Sequence, residues 1–82
     1  MKTLTINQPV SVTRLGFGRD MRAYPQAIEF DGKLYEFTDR GLSYTVKKGR
    51  KTTRLLSLQS DMRQFWLRDD GESMWTLLGM SS

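Results

Sequence analysis

The dipeptide Asp31-Gly32 stands between two short runs, Ala27-Ile28-Glu29-Phe30 and Lys33-Leu34-Tyr35-Glu36-Phe37, in which apolar and charged side chains alternate. Asp-Gly tolerates the two positive φ angles of a type I′ turn, whose twist matches that of the strands it joins. The spacing predicts a β-hairpin with a two-residue loop. Such a loop sets Ile28 opposite Tyr35, so Ile28, Phe30, Tyr35 and Phe37 share an apolar face while Glu29 and Glu36 share a wet one.

The same period of two recurs along the chain. Val10 and Val12 alternate with Ser11 and Thr13 over residues 10–15, and Pro9, which has no N–H for a ladder, marks this stretch as an edge strand. Leu4 and Ile6 extend the pattern over residues 2–6, with an interruption at 7–9. Residues 16–26 hold two glycines, Pro25 and the charged group Arg19, Asp20 and Arg22, which reads as a long loop. It has room for one helical turn over 20–24 that Pro25 would end. After a turn at 38–41, Leu42, Tyr44 and Val46 alternate with Ser43, Thr45 and Lys47. Residues 47–51 then make the tip of a second hairpin, and Thr52, Thr53 and Arg54 lead into its return strand.

Residues 54–68 fit two periods. Leu55, Leu58, Met62 and Phe65 match a helix, whereas a turn at Ser60-Asp61 makes two strands with Leu56, Leu58, Phe65 and Leu67 on one side. β-patterns on both flanks and the absence of helix start and stop signals favour the strands. A turn over 69–72 precedes a last strand over 73–78, in which a three-residue loop buries Trp75 and Leu77 and a two- or four-residue loop buries Met74 and Thr76. Trp75 and Leu77 carry more apolar surface and are the expected core pair. The expected fold is all-β: one antiparallel meander of about six strands curled into a small, partly open barrel. Its 82 residues leave room for one core, so residues 1–82 are read as a single domain.

The chain contains neither cysteine nor histidine. Disulfides, thiolate ligands, the commonest general base and every Ser-His or Cys-His arrangement are excluded together. The acidic group Asp69, Asp70 and Glu72 falls in a turn and lacks the further oxygen ligands a hard cation needs, so neither metal nor cofactor is expected. Gly16-Phe17-Gly18 is no dinucleotide fingerprint, because Met21 occupies the position of its last glycine. No apolar run has the length of a signal peptide or a membrane span, which makes the cytoplasm the expected compartment. A non-catalytic binding module is the function class that remains.

Thirteen Lys and Arg against nine Asp and Glu leave a formal charge of +4. Lys47, Lys48, Arg50, Lys51 and Arg54 place five cations in eight residues with no acid between them. Such a tip can straddle phosphates, with Arg19 and Arg22 as further contacts, or it can be a solvated turn whose like charges deter edge-to-edge aggregation. Phe17, Tyr24 and Trp66 are the rings available to stack on bases. Trp66 falls on the face opposite Phe65 and Leu67, so it is either covered by residues 16–26 or an exposed interaction anchor. The alternative function is therefore a protein-interaction module, self-associating or an adaptor to a larger partner, with Trp66 as anchor.

Pro25, the run Phe30-Asp31-Gly32-Lys33-Leu34-Tyr35, the hairpin over 58–67, Gly71 and Trp75-Thr76-Leu77 together resemble a small bacterial β-domain family of unknown function. Its members occur alone or appended to proteins related to Y-family DNA polymerases. The matching positions span about two thirds of the chain. The resemblance implies a fold and supplies no catalytic or binding residue.

Overall fold

The structure, a computed structural model, describes residues 3–18, 22–38 and 41–81. It contains seven antiparallel strands: β1 (Thr3–Phe17), β2 (Ala23–Phe30), β3 (Lys33–Glu36), β4 (Leu42–Lys48), β5 (Lys51–Ser60), β6 (Arg63–Gly71) and β7 (Met74–Ser81). They form one sheet in the order β3-β2-β1-β7-β6-β5-β4, in which the first and last strands of the chain lie side by side and β3 and β4 are the free edges. The described residues include no helix. Ala23 and Tyr24, the end of the expected helical turn, lie in β2, while residues 20 and 21 lie outside the described residues.

The β2–β3 hairpin has the expected register, with Ile28 opposite Tyr35. Asp31 and Gly32 both have positive φ, as a type I′ turn requires. Ile28 and Phe37 are buried, and Glu29 and Glu36 are exposed. Residues 54–68 form two strands, with Leu56 opposite Leu67 and Leu58 opposite Phe65. The turn is Asp61-Met62, one residue later than the sequence reading. That displacement slides the pairing by two residues and leaves each side chain on its face, so the four-residue apolar side forms as expected.

Two expectations fail because of bulges and a change of partner. β1 lies inside the sheet order rather than at its end, with a single partner along each half: residues 3–10 pair with β7 and residues 11–17 with β2. Pro9 lies just before pairing with β2 begins at Ser11, where β1 has a neighbour on one side only and a missing N–H is tolerated. Asn7, at positive φ, lies in the register shift between Thr5 and Gln8 that interrupts the alternation. The expected loop over 16–26 is mostly strand. Residues 16, 17 and 23–26 belong to strands, and between them the Gly18 N–H donates to the Arg22 carbonyl at 3.1 Å.

The β6–β7 loop holds two residues, Glu72 and Ser73, yet Trp75 and Leu77 are buried and Met74 is exposed. A bulge at Asp70 reconciles these facts. Asp69 pairs with Trp75 and Gly71 with Met74, so one extra residue in β6 turns Trp75 inward. The Asp69 carboxylate accepts the Gly71 N–H at 2.9 Å and holds the bulge.

The core lies where the sheet curls over itself. Phe65 of β6 meets Tyr35 of β3 at a ring separation of 5.0 Å and Phe37 at 5.3 Å, both tilted toward edge-to-face geometry. Ile28, Leu56, Leu58, Leu67, Trp75, Leu77 and Met80 complete it. The barrel is not closed by a ladder between β3 and β4. At one end of the seam Phe37 donates its N–H to the Gln26 carbonyl and Thr38 to the Gln59 carbonyl, stitching β2 to β5. Gly41 follows at positive φ, packed so closely against the Ser57 carbonyl and the Leu58 side chain that a Cβ there would overlap both.

Candidate nucleic-acid interface

At the other end of the seam, β4 and β5 run out as a two-stranded ribbon. Lys48 pairs with Lys51 across a two-residue loop, Gly49-Arg50, in which Gly49 supplies the positive φ. Every residue of β4 is exposed, as are Lys51 and Thr52 at the start of β5. Lys47, Lys48, Arg50 and Lys51 therefore stand in solvent, and none has an ion-pair partner among the described residues.

Arg54 behaves differently. Its side chain is only 14% exposed. Nη1 donates to the Ala23 carbonyl at 2.7 Å and lies 3.5 Å from Asp69 Oδ2, while Nε donates to Ser43 Oγ at 3.2 Å. One guanidinium thus ties β5 to β2 across the open seam, to β4 and to β6. Its place among the tip cations hid this, although parity along β5, which puts Arg54 on the same face as Leu56 and Leu58, is the signal that finds it.

An open cleft of about 830 Å³ wraps this part of β5. Arg22, from the connection between β1 and β2, lines it together with Lys48, Lys51 and Arg54. The fold thus brings together four of the seven cations singled out in the sequence. Lys47 and Arg50 lie on the same ribbon outside the cleft lining, and Arg19 lies outside the described residues.

The cleft contains one further cation that charge patterning did not assign to it, Arg68, with Asp69 and Asp70 beside it. Arg68 Nε donates to Asp70 Oδ1 at 2.7 Å and Nη2 to Thr76 Oγ1 at 3.3 Å, while the Thr76 hydroxyl donates to Asp70 Oδ2 at 2.5 Å. Desolvation pushes the Asp70 carboxyl up. Hydrogen bonds from Thr76 and Arg68 and the charges of Arg68 and Lys51 outweigh it, so the pKa falls below its ordinary 3.8. The bulge at Asp70 sends the two adjacent carboxylates to different partners, Asp69 to Arg54 and Asp70 to Arg68. No group of three or more metal-ligating side chains forms among the described residues.

Among the described residues, no aromatic side chain lines the cleft. Phe17 is exposed, and Tyr24 is half-buried against the core, its hydroxyl accepting from Gln26 Nε2 at 3.4 Å. Trp66 is half-buried on the outer face of the sheet, with Ser57 and Gly79 as its cross-strand neighbours. Residues 16, 17 and 23–26, expected in the loop that would cover it, belong to strands β1 and β2. Among the described residues, no helix is long and apolar enough to cross a membrane. Comparison with protein-family models, with curated proteins and with solved structures finds no match to this chain.

Proposed function

We propose that this chain is a non-catalytic, cytoplasmic binding module that holds nucleic-acid phosphates at the cleft beside the β4–β5 tip. The observation that carries this reading is the convergence of Arg22 with Lys48 and Lys51 on one open cleft, although they lie far apart in the chain. Clustered cations on an accessible concave surface are the electrostatic footprint of phosphate binding. With no ring in the cleft, binding rests on phosphate charge rather than base stacking and carries little sequence selectivity. The exposed two-stranded ribbon has the dimensions that a duplex major groove admits. The absence of histidine and cysteine supports a role without catalysis.

Fluorescence anisotropy with labelled single- and double-stranded oligonucleotides tests the proposal. The affinity should fall linearly with salt on logarithmic axes between about 50 and about 200 mM. Replacing Lys48, Arg50 and Lys51 by Ala, all exposed, should lower that slope by about three, about one for each phosphate no longer neutralised. Absence of binding at micromolar protein in low salt overturns the reading.

A protein-interaction role is the second reading. It is favoured by one specific observation, the exposed apolar row on the edge strand β4.

A further inference from the structure

The two free edges of the sheet are built differently. β3 has four residues, Lys33 to Glu36, and ends in a charge at both sides. β4 has seven, and its stretch 42–46 holds no charge and no proline, while its register against β5 runs from Leu42 to Lys48 without a bulge. Shortness, charge, proline and bulges are the devices that keep edges from pairing with other chains. β3 uses two of them, and the middle of β4 uses none.

The side chains of that middle stretch point the same way. Tyr44 lies opposite Leu55 rather than Leu56, so Leu42, Tyr44 and Val46 sit on the outer face, away from the core. They are 63%, 51% and 48% exposed. Leu55 beside Tyr44, and Trp66 beyond Ser57, carry the patch across the sheet. Contiguous apolar surface along an open edge marks an interaction site.

We propose that β4 pairs with β4 of a second copy of this chain, antiparallel about a two-fold axis at Tyr44. This register sets Leu42 opposite Val46 of the second copy and Tyr44 opposite its own equivalent. On the other face it sets Ser43 opposite Thr45. Apolar meets apolar and hydroxyl meets hydroxyl, the self-complementarity that an isologous contact needs. Charge selects the direction. Each copy carries +4, and the antiparallel arrangement sends the two Lys47-Lys48 ends to opposite sides, whereas a parallel one would set them abreast. An acidic extended peptide would complement those two lysines alone, and the uncharged five-residue stretch before them is matched by β4 itself. The contact is one strand wide and belongs with weak, concentration-dependent interfaces.

Sedimentation velocity across the micromolar range tests this. The wild type should shift from monomer to dimer with concentration, and Tyr44→Lys should weaken association at least tenfold. Tyr44→Glu alone should do the same, and an equimolar mixture of the two variants should restore the dimer, because opposite charges then meet at the axis. Tyr44 is half exposed, and circular dichroism checks that each variant folds. In this cysteine-free chain, Tyr44→Cys should form a disulfide-linked dimer on mild oxidation, whereas Leu42→Cys alone should not. A wild type that stays monomeric throughout overturns the proposal, as does a dimer indifferent to Tyr44→Lys. A monomer that captures an acidic strand-forming peptide overturns the two-fold and identifies a different occupant of the edge.

Discussion

β4 and β5 are neighbours in sequence and in the sheet, both alternate with period two, and they differ in almost every physical respect. Leu56 and Leu58 of β5 are buried in the core, while Leu42, Tyr44 and Val46 of β4 stand in solvent. The contrast originates in one register, which pairs Tyr44 with Leu55 and thereby puts the apolar row of β4 on the back of the core row of β5. Alternation states that a strand has two unlike faces. It does not state which face has a second layer over it. The buried strand holds the fold together, and the exposed strand adds little to the core.

The sharpest way to break this contrast is to shorten equivalent side chains in the two strands. Leu58→Ala should cost about 2–5 kcal/mol, enough to bring so small a domain near its unfolding limit, whereas Leu42→Ala should stay within about 0.5 kcal/mol. Urea denaturation read by Trp fluorescence measures both, and equal costs would mean that β4 is part of the core.

The next largest effect separates two arginines of the same ribbon. Arg54→Ala removes the tie across the seam and leaves Asp69 without its cationic partner, and should cost about 1–3 kcal/mol. Arg50→Ala should leave stability within about 0.5 kcal/mol while lowering the salt dependence of oligonucleotide binding. If Arg54→Ala proves as stable as Arg50→Ala, the seam is held by the stitch at residues 37–38 alone.

The smallest effect concerns Asp70, at the join between the core strands and the cleft. Its folded pKa is below the ordinary 3.8, so the unfolded chain binds the proton more tightly. Its contribution is complete above that ordinary value and disappears as the pH falls through the lower folded value. Asp70→Asn should therefore lower stability slightly and evenly near neutrality and flatten the acid limb of the stability-against-pH curve. An unchanged acid limb would show that other carboxylates govern it.

Much of this arrangement was legible in residue order. Asp31-Gly32 specified its turn and register, because a two-residue loop with two positive φ angles leaves the flanking strands one pairing. The face shared by Leu56, Leu58, Phe65 and Leu67 was legible too, since misplacing the turn by one residue changes the partners and preserves the parity. The absence of histidine and cysteine is likewise a property of the sequence alone.

Tertiary structure decided the rest. Bulges at Asn7 and Asp70 shift a ladder by one residue, and side chains tens of positions away in the chain determine whether such a shift improves burial. The place of β1 inside the sheet depends on β7, more than fifty residues further along the chain, pairing with its first half. Arg54 looks like a tip cation until β2 is brought within 2.7 Å of it, and Arg22 joins the cleft through the same curl of the sheet. Local pattern determines which residues form strands and turns, because those preferences act over a few bonds. Only the folded geometry determines which strand becomes core and which cations become neighbours, because both depend on surfaces that exist once the sheet has curled over itself.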